Sequence, residues 1–230
     1  MLSGAADPAR AATAMASMTE HLIRRGPDLA LLFTPPFERS AQDPGYIKGY
    51  PPGLRENGGQ YSHAAMWAIL AQARLGNGDA AQGLFALLNP INHALTSEAA
   101  QRYKLEPYVI AADVYSTAPH EGRGGWSWYT GSAAWMYRAG IEGLMGLTAQ
   151  GDDLTFDPCF PKAWPSLTIR LAQTGLAATV TVQNPDHSGH GVRRATLNGR
   201  ALAVQSGRLT LPRRDMQGHL EIVLGPVGQA

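Results

Sequence analysis

The spacing of apolar residues changes near residue 150, and this change restricts the chain to a helical part followed by a β part. Before that point the period is helical. Asp7-Pro8 reads as an N-cap followed by an N1 proline, with Ala11, Met15, Met18 and Leu22 on one face and Gly26 as the stop. A second helix is expected from Gln60 or Ser62 through Met66, Ile69, Leu70 and Ala73, ending at Gly76-Asn77-Gly78. Asp79 caps a third, AAQGLFALL, which Asn89-Pro90 stops. Glu106-Pro107 is expected to open a fourth, YVIAADVYS, and residues 132–147 form a fifth. Beyond residue 150 the period is two. SLTIRLA and ATVTV alternate, ATLNGRAL carries an Asn198-Gly199 hairpin turn, and HLEIVLG adds a further strand. The expected domains are therefore residues 1–150, mainly α, and residues 151–230, a small antiparallel β-sandwich.

Composition matters chiefly for what it removes. A hydrophobic content of 44% with 16% charged residues fits a globular protein and argues against disorder. With a net charge of +1 there is no strong field for nucleic acid or an anionic membrane. No apolar run is long enough to cross a bilayer, and the first residues lack a secretory pattern. Cys159 has no cysteine partner, which fits a reducing, cytoplasmic setting, and it reads as a buried small residue. The seven histidines are scattered without metal-ligand spacing, so no metal or organic cofactor is expected.

Two helix starts share an unusual layout. In YPPGLRENGGQYSH, prolines and glycines lead into a hydroxyl and then His63 in the first helical turn. In GRGGWSWYTGSAAWMYR, three glycines and the aromatic residues Trp126, Trp128 and Tyr129 lead into Thr130-Gly131-Ser132. A helix N-terminus offers free N–H groups and partial positive charge, so each start could hold an oxyanion. Each also has an ordinary reading: Thr130 as a plain cap, His63 as a histidine packed at a helix end, Trp67 as core. The aromatic rings suit the C–H faces of sugars, so the residues alone point to an anionic or carbohydrate ligand.

Several long segments resemble a known family: FTPPFERSAQDPGYIKGYPPGLRENGGQYSHAAMW, ALLNPINHA, YKLEPYVIAADVYS, GRGGWSWYTGSAAWMYRAGIEGLMGL and DPCFPKAWP. They are similar to the C-terminal end of cyclic β-1,2-glucan synthases and, more broadly, to the inverting glycoside phosphorylases of family 94. The resemblance implies a partial (α/α)6 toroid of helical hairpins followed by the β domain. It implies phosphorolysis of a β-glucoside to α-glucose 1-phosphate, or the reverse, with inorganic phosphate as co-substrate. It assigns His63, Thr130 and Gly131 to phosphate and Glu56 to sugar hydroxyls, with Arg55, Asn57, Trp128 and Tyr129 beside the sugar. Asp113 and Glu106 are further cleft candidates. The loop at His120-Glu121 could cover the site, and Glu56 could equally be a loop carboxylate paired with Arg55.

The family's general acid is an aspartate in an Asp-Trp-Asn-Asp type motif, and these 230 residues contain no such motif. The expectation is a C-terminal portion of a larger enzyme, inactive alone. Its partners would be a β-glucan or oligosaccharide, phosphate, and either the missing toroid half or a self-associated copy. In the cell it would be cytoplasmic, alone or as the cytoplasmic domain of an inner-membrane synthase. A non-catalytic carbohydrate-binding module is the alternative.

Overall fold

The computed structural model describes residues 1–173 and 176–226, which form two compact units. The first comprises residues 1–71 and 83–139, the second residues 72–82 and 140–230. The chain opens with α1 (Pro8–Leu22), whose N-cap Asp7 accepts a 3.1 Å hydrogen bond from the Arg10 amide. Of its expected face only Ala11 is buried, with Met15, Met18 and Leu22 half-buried. Two short strands follow, β1 (Ile23–Arg24) and β2 (Leu29–Ala30), paired antiparallel. Strand β3 (Gln60–Tyr61) leads directly into α2 (Ser62–Arg74), and α3 (Gly78–Leu88) follows its turn. Helix α2 matches its expected span, whereas α3 begins at Gly78, so Asp79 stands in its first turn and does not cap it; its Oδ1 accepts from the Lys162 amide instead. Next comes α4 (Ser97–Tyr103), where Thr96 caps the Ala99 amide.

The expected helix after Glu106-Pro107 does not form. The segment is extended and contains β4 (Asp113–Val114), antiparallel to β3 with Tyr61 opposite Asp113. Ala111, Ala112, Asp113 and Val114 are all buried, so the period-two signature of a half-exposed strand is absent. Leu29, Leu31, Tyr103, Ala111 and Val114 pack together around this segment. Helix α5 (Thr130–Arg138) passes into a π-helical stretch, Ala139–Leu144, in place of one continuous helix.

In the second unit, β5 (Leu147–Gln150) and β6 (Asp153–Phe156) form a hairpin. After them come β7 (Ser166–Gln173), β8 (Leu176–Gln183), β9 (Val192–Leu197), β10 (Arg200–Leu202), β11 (Leu209–Pro212) and β12 (Gln217–Leu224). The strands make a five-stranded sheet of order β10-β9-β12-β8-β7 and a three-stranded sheet of order β11-β6-β5. The larger sheet is mixed and not purely antiparallel, because β12 inserts between β8 and β9 and runs parallel to β8. The chain between β8 and β12 is long enough for such a crossover. Phe156, Leu211, Val180 and Ile222 draw both sheets into one core. Cys159 is buried in this unit, and burial pushes its thiol up to about 12, consistent with a packing role. Gly78 belongs here because a Cβ on it would lie 2.2 Å from the Phe160 carbonyl oxygen.

Candidate phosphate and sugar site

The buried segment 110–114 is the spine of the site. The Ser62 amide donates to the Ala112 carbonyl (2.9 Å) and the Ala112 amide to the Trp126 carbonyl (2.7 Å). The Gly125 amide donates to the Asp113 carbonyl (2.9 Å) and the Tyr129 amide to the Ile110 carbonyl (3.2 Å). One strand thus carries both glycine-prefaced helix starts, α2 on one side and α5 on the other.

His63 and Gly131 come together. A Cβ placed on Gly131 would lie 3.8 Å from His63 Nδ1 and 3.9 Å from Tyr129 Cε1, in ordinary van der Waals contact with both rings. The His63 ring lies between Trp135 (5.9 Å between centroids, 28°) and Tyr61 (6.3 Å, 24°), with Trp67 edge-on at 5.2 Å. Trp67 is 42% exposed and packs as a wall of this cluster, not as core. Trp67 and Trp135 meet edge to face at 5.6 Å. Each stands one turn beyond a helix-start residue, His63 and Gly131, so i,i+4 spacing aims both pairs the same way. That spacing was the sequence signal for Trp135, which motif reading alone passes over. Thr130 is the first residue of α5 and is exposed, while Tyr129 holds the N-cap position without a side-chain cap bond. The first amides of α5 have no intrahelical acceptor.

On the other side, Arg55 adopts a left-handed φ of 44°, and its amide donates to Asp113 Oδ2 at 3.2 Å. The carboxylate fits only because residue 125 is glycine: a Cβ there would stand 2.4 Å from Asp113 Oδ1. Asp113 is fully buried, and burial raises its pKa even though the Arg55 charge and backbone amides oppose the shift. The Arg55 guanidinium lies over the Tyr50 ring, 5.7 Å from its centroid. The Glu56 carboxylate raises the pKa of the Tyr46 phenol, a residue that the sequence alone does not single out. Asn57 is fully buried and committed to its own loop. Its Oδ1 accepts from the Phe37 amide (2.7 Å), and its Nδ2 donates to the Phe37 (2.9 Å) and Tyr50 (2.8 Å) carbonyls.

Among the described residues, five side-chain polar atoms are buried without a hydrogen-bond partner: Arg55 Nε, Glu56 Oε2, His63 Nε2, Asp113 Oδ1 and Ser132 Oγ. Each such atom costs about 1–3 kcal/mol unless something satisfies it. All five lie in the loop before α2, in the first turn of α2, in β4, or in the first turn of α5.

The rim is aromatic. Tyr108, Trp126 and Trp128 are exposed, and Trp128 stands edge-on to Tyr108 at 6.2 Å. Trp128 has a left-handed φ of 57°, and its indole N–H donates to Glu106 Oε1 at 3.4 Å. Glu106 is held below the usual carboxylate range by its own backbone amide, with Ser127 and Trp128 adding to the shift. The 117–122 loop is tied down by Arg24, whose Nη1 donates to Glu121 Oε1 (3.2 Å) and to the Ser116 carbonyl (3.1 Å).

This geometry coincides with a family match over the whole of the first unit. Residues 1–146 match the catalytic domain of the Glycosyl hydrolase 94 superfamily. The chain belongs to this superfamily. Among curated relatives, the cyclic beta-(1,2)-glucan synthase NdvB of Rhizobium meliloti (strain 1021) is 46% identical over 191 residues, covering 83% of this chain and 7% of that protein. The N,N'-diacetylchitobiose phosphorylase of Vibrio proteolyticus is 31% identical over 227 residues, 98% of this chain and 27% of the relative. The solabiose phosphorylase of Paenibacillus borealis is 27% identical over 204 residues, 88% of this chain and 26% of the relative. The chain thus spans about a quarter or less of these relatives. As a glycosyl hydrolase 94 member it is a carbohydrate-active, glycoside-phosphorylase-like domain of a glycosyltransferase-like enzyme family. No helix among the described residues is long and apolar enough to cross a membrane.

Proposed function

We propose that this chain is the phosphate- and sugar-holding portion of an inverting glycoside phosphorylase domain acting on β-glucans, β-1,2-glucan foremost. The observation that carries the reading is the gathering of all five unpartnered buried polar atoms on the two helix starts and the strand between them. Phosphate is already anionic, so its attack on the anomeric carbon needs no carboxylate base, unlike the water of an inverting hydrolase. It needs donors that hold it beneath that carbon. In this reading His63, the Thr130 hydroxyl and the amides at Gly131 supply them. Glu56 and Arg55 bind sugar hydroxyls, Asn57 shapes their loop, and Tyr129 and Trp128 border the ring.

A new bond forms between a phosphate oxygen and C1 while the C1–O glycosidic bond breaks, and a proton passes to the departing oxygen. The acid for that proton is assigned to residues outside this chain, in an (α/α)6 toroid of which these helices form the later part. No organic cofactor is required. The complete domain would work in the cytoplasm, where glucose 1-phosphate is used or released. The toroid half outside this chain, or a second copy, would cover the exposed rings.

The test is release of glucose 1-phosphate from β-1,2-glucan or cellobiose with added phosphate, by this chain and by a protein extended upstream. Turnover is expected only from the extended protein; turnover by these 230 residues alone would refute an external acid. His63→Ala or Thr130→Ala in the extended protein should raise the KM for phosphate roughly ten- to a hundredfold, the loss of one hydrogen bond to a charged group. The exposed rings of Tyr108, Trp126 and Trp128 favour a second reading, a carbohydrate-binding module without turnover. Glucan binding with no phosphorolysis in the extended protein would select it.

A further inference from the structure

A pocket of about 210 Å³ opens between the β1–β2 turn and the end of α3, and its lining shares no residue with the His63–Gly131 slot. Arg24 and Leu29 pair across the β1–β2 hairpin, so Arg25 and Asp28 stand at the two ends of the connecting turn, and both line the pocket. Opposite them, α3 ends at Leu88 and the segment Asn89-Pro90-Ile91-Asn92-His93 turns back over its last carbonyls. Asn92 Nδ2 donates to the Ala86 carbonyl at 2.7 Å, and His93 Nε2 lies 2.8 Å from the Leu87 carbonyl. A carbonyl can only accept, so both side chains are oriented by these contacts. Asn92 is left with Oδ1 and the neutral His93 ring with Nδ1, and both atoms are acceptors. The His93 ring is also stacked on Tyr103 (4.8 Å between centroids, 15°), a member of the buried cluster around β4. Between these walls Gly83 leaves the α3 backbone bare, since a Cβ there would meet no heavy atom within 4 Å.

We propose that this pocket holds a single hexose unit of a glucan, as a sugar site separate from the reacting centre. It does not depend on the phosphate reading of the two helix starts. The pocket offers the donors of Arg25 and the acceptors of Asp28, Asn92 and His93 around the apolar Ala86 and Leu87. The opposite charges of Arg25 and Asp28 offset each other, so neither a simple anion nor a simple cation is strongly favoured. A sugar hydroxyl donates and accepts at once and can use both kinds of group. An apolar wall with a few convergent polar groups is the usual form of a small-molecule site. The volume is on the scale of one sugar ring, so the rest of a glucan chain would extend past the mouth.

The test titrates glucose and a β-1,2-linked glucose disaccharide onto the ¹⁵N-labelled 230-residue chain and follows its amide resonances. Both sugars should shift the amides of Gly83, Asn92 and His93. Gly83→Leu fills the pocket from a helical position where leucine has the higher helix propensity, so the fold is kept. Asp28→Gly removes the carboxylate at a residue whose φ of 54° suits glycine. Each variant should weaken sugar binding roughly tenfold or more, the worth of one hydrogen bond to a charged group or of the lost space. Unchanged affinity in both variants overturns the proposal. So do shifts confined to Arg55, Glu56 and Trp128, which would place the sugar only in the site already described. Equal shifts at Gly83 and His93 with sodium acetate or ammonium chloride would make the pocket an ion site and overturn it as well.

Discussion

Asp113 shows how much of the site depends on one buried side chain. Its carboxylate holds the left-handed Arg55 amide, and its main chain pairs with Tyr61 and accepts from Gly125. Burial lifts its pKa, so the folded protein binds this proton more tightly than the unfolded chain does. The resulting stabilisation is full below the unfolded aspartate value of about 3.9 and is lost as pH rises through the folded value. Asp113→Asn has no proton to take up. The melting temperature of the wild type, relative to this variant, should therefore improve as pH is lowered from 8 toward the unfolded value. A difference that stays constant with pH, or moves the other way, would show that Asp113 stays fully ionised in the fold. Sequence reading could place Asp113 only as one of two possible cleft carboxylates. Its neighbours in space are Arg55, 58 positions away in the chain, and Gly125, and no spacing rule connects them.

The helices with clear punctuation formed where expected. Asp7-Pro8 opens α1, and Gly76-Asn77-Gly78 separates α2 from α3. The departures have separate causes. YVIAADVYS has residues compatible with a helix, but its main chain is taken by α2's first amide and by the 124–129 loop, so tertiary pairing outweighs propensity. In α4 the signal was present and short: Thr96-Ser97-Glu98-Ala99, with the Thr96 hydroxyl accepting from the Ala99 amide. A helix of seven residues leans heavily on such a cap. Thr96→Ala should cost about 1 kcal/mol of stability in chemical denaturation, and Thr96→Ser should restore most of it. An Ala variant as stable as the wild type would mean that Tyr103, buried at the other end, holds α4 without the cap. The two glycine-prefaced helix starts were legible in the sequence. The aromatic cluster of Trp67, Trp135 and Tyr61 around His63 was not, because contacts between α2 and α5 depend on how β4 sets their separation.

Two units with separate cores carry this chain, and the candidate site is built wholly from the first. The break in period near residue 150 anticipated a β domain, but not the mixed sheet at its centre. That sheet places Ile222 of β12 beside Val182 of β8, both with 0% exposure. Parallel pairing between strands so distant in sequence forms only after a long loop has closed, so side-chain burial must supply its stability. Ile222→Ala should remove about 2–5 kcal/mol, the usual cost of emptying a packed core position. Hydrogen exchange should then show lost protection in β8, β9 and β12, while the amides of β4 and α5 keep theirs. Inorganic phosphate should bind such a variant with wild-type affinity below its melting transition, since no residue of the His63–Gly131 slot lies in the second unit. Equal loss of protection in β4 and α5 would instead mean that the units unfold as one. In that case the β domain would act on the proposed phosphate site through shared stability, without contributing any atom to it.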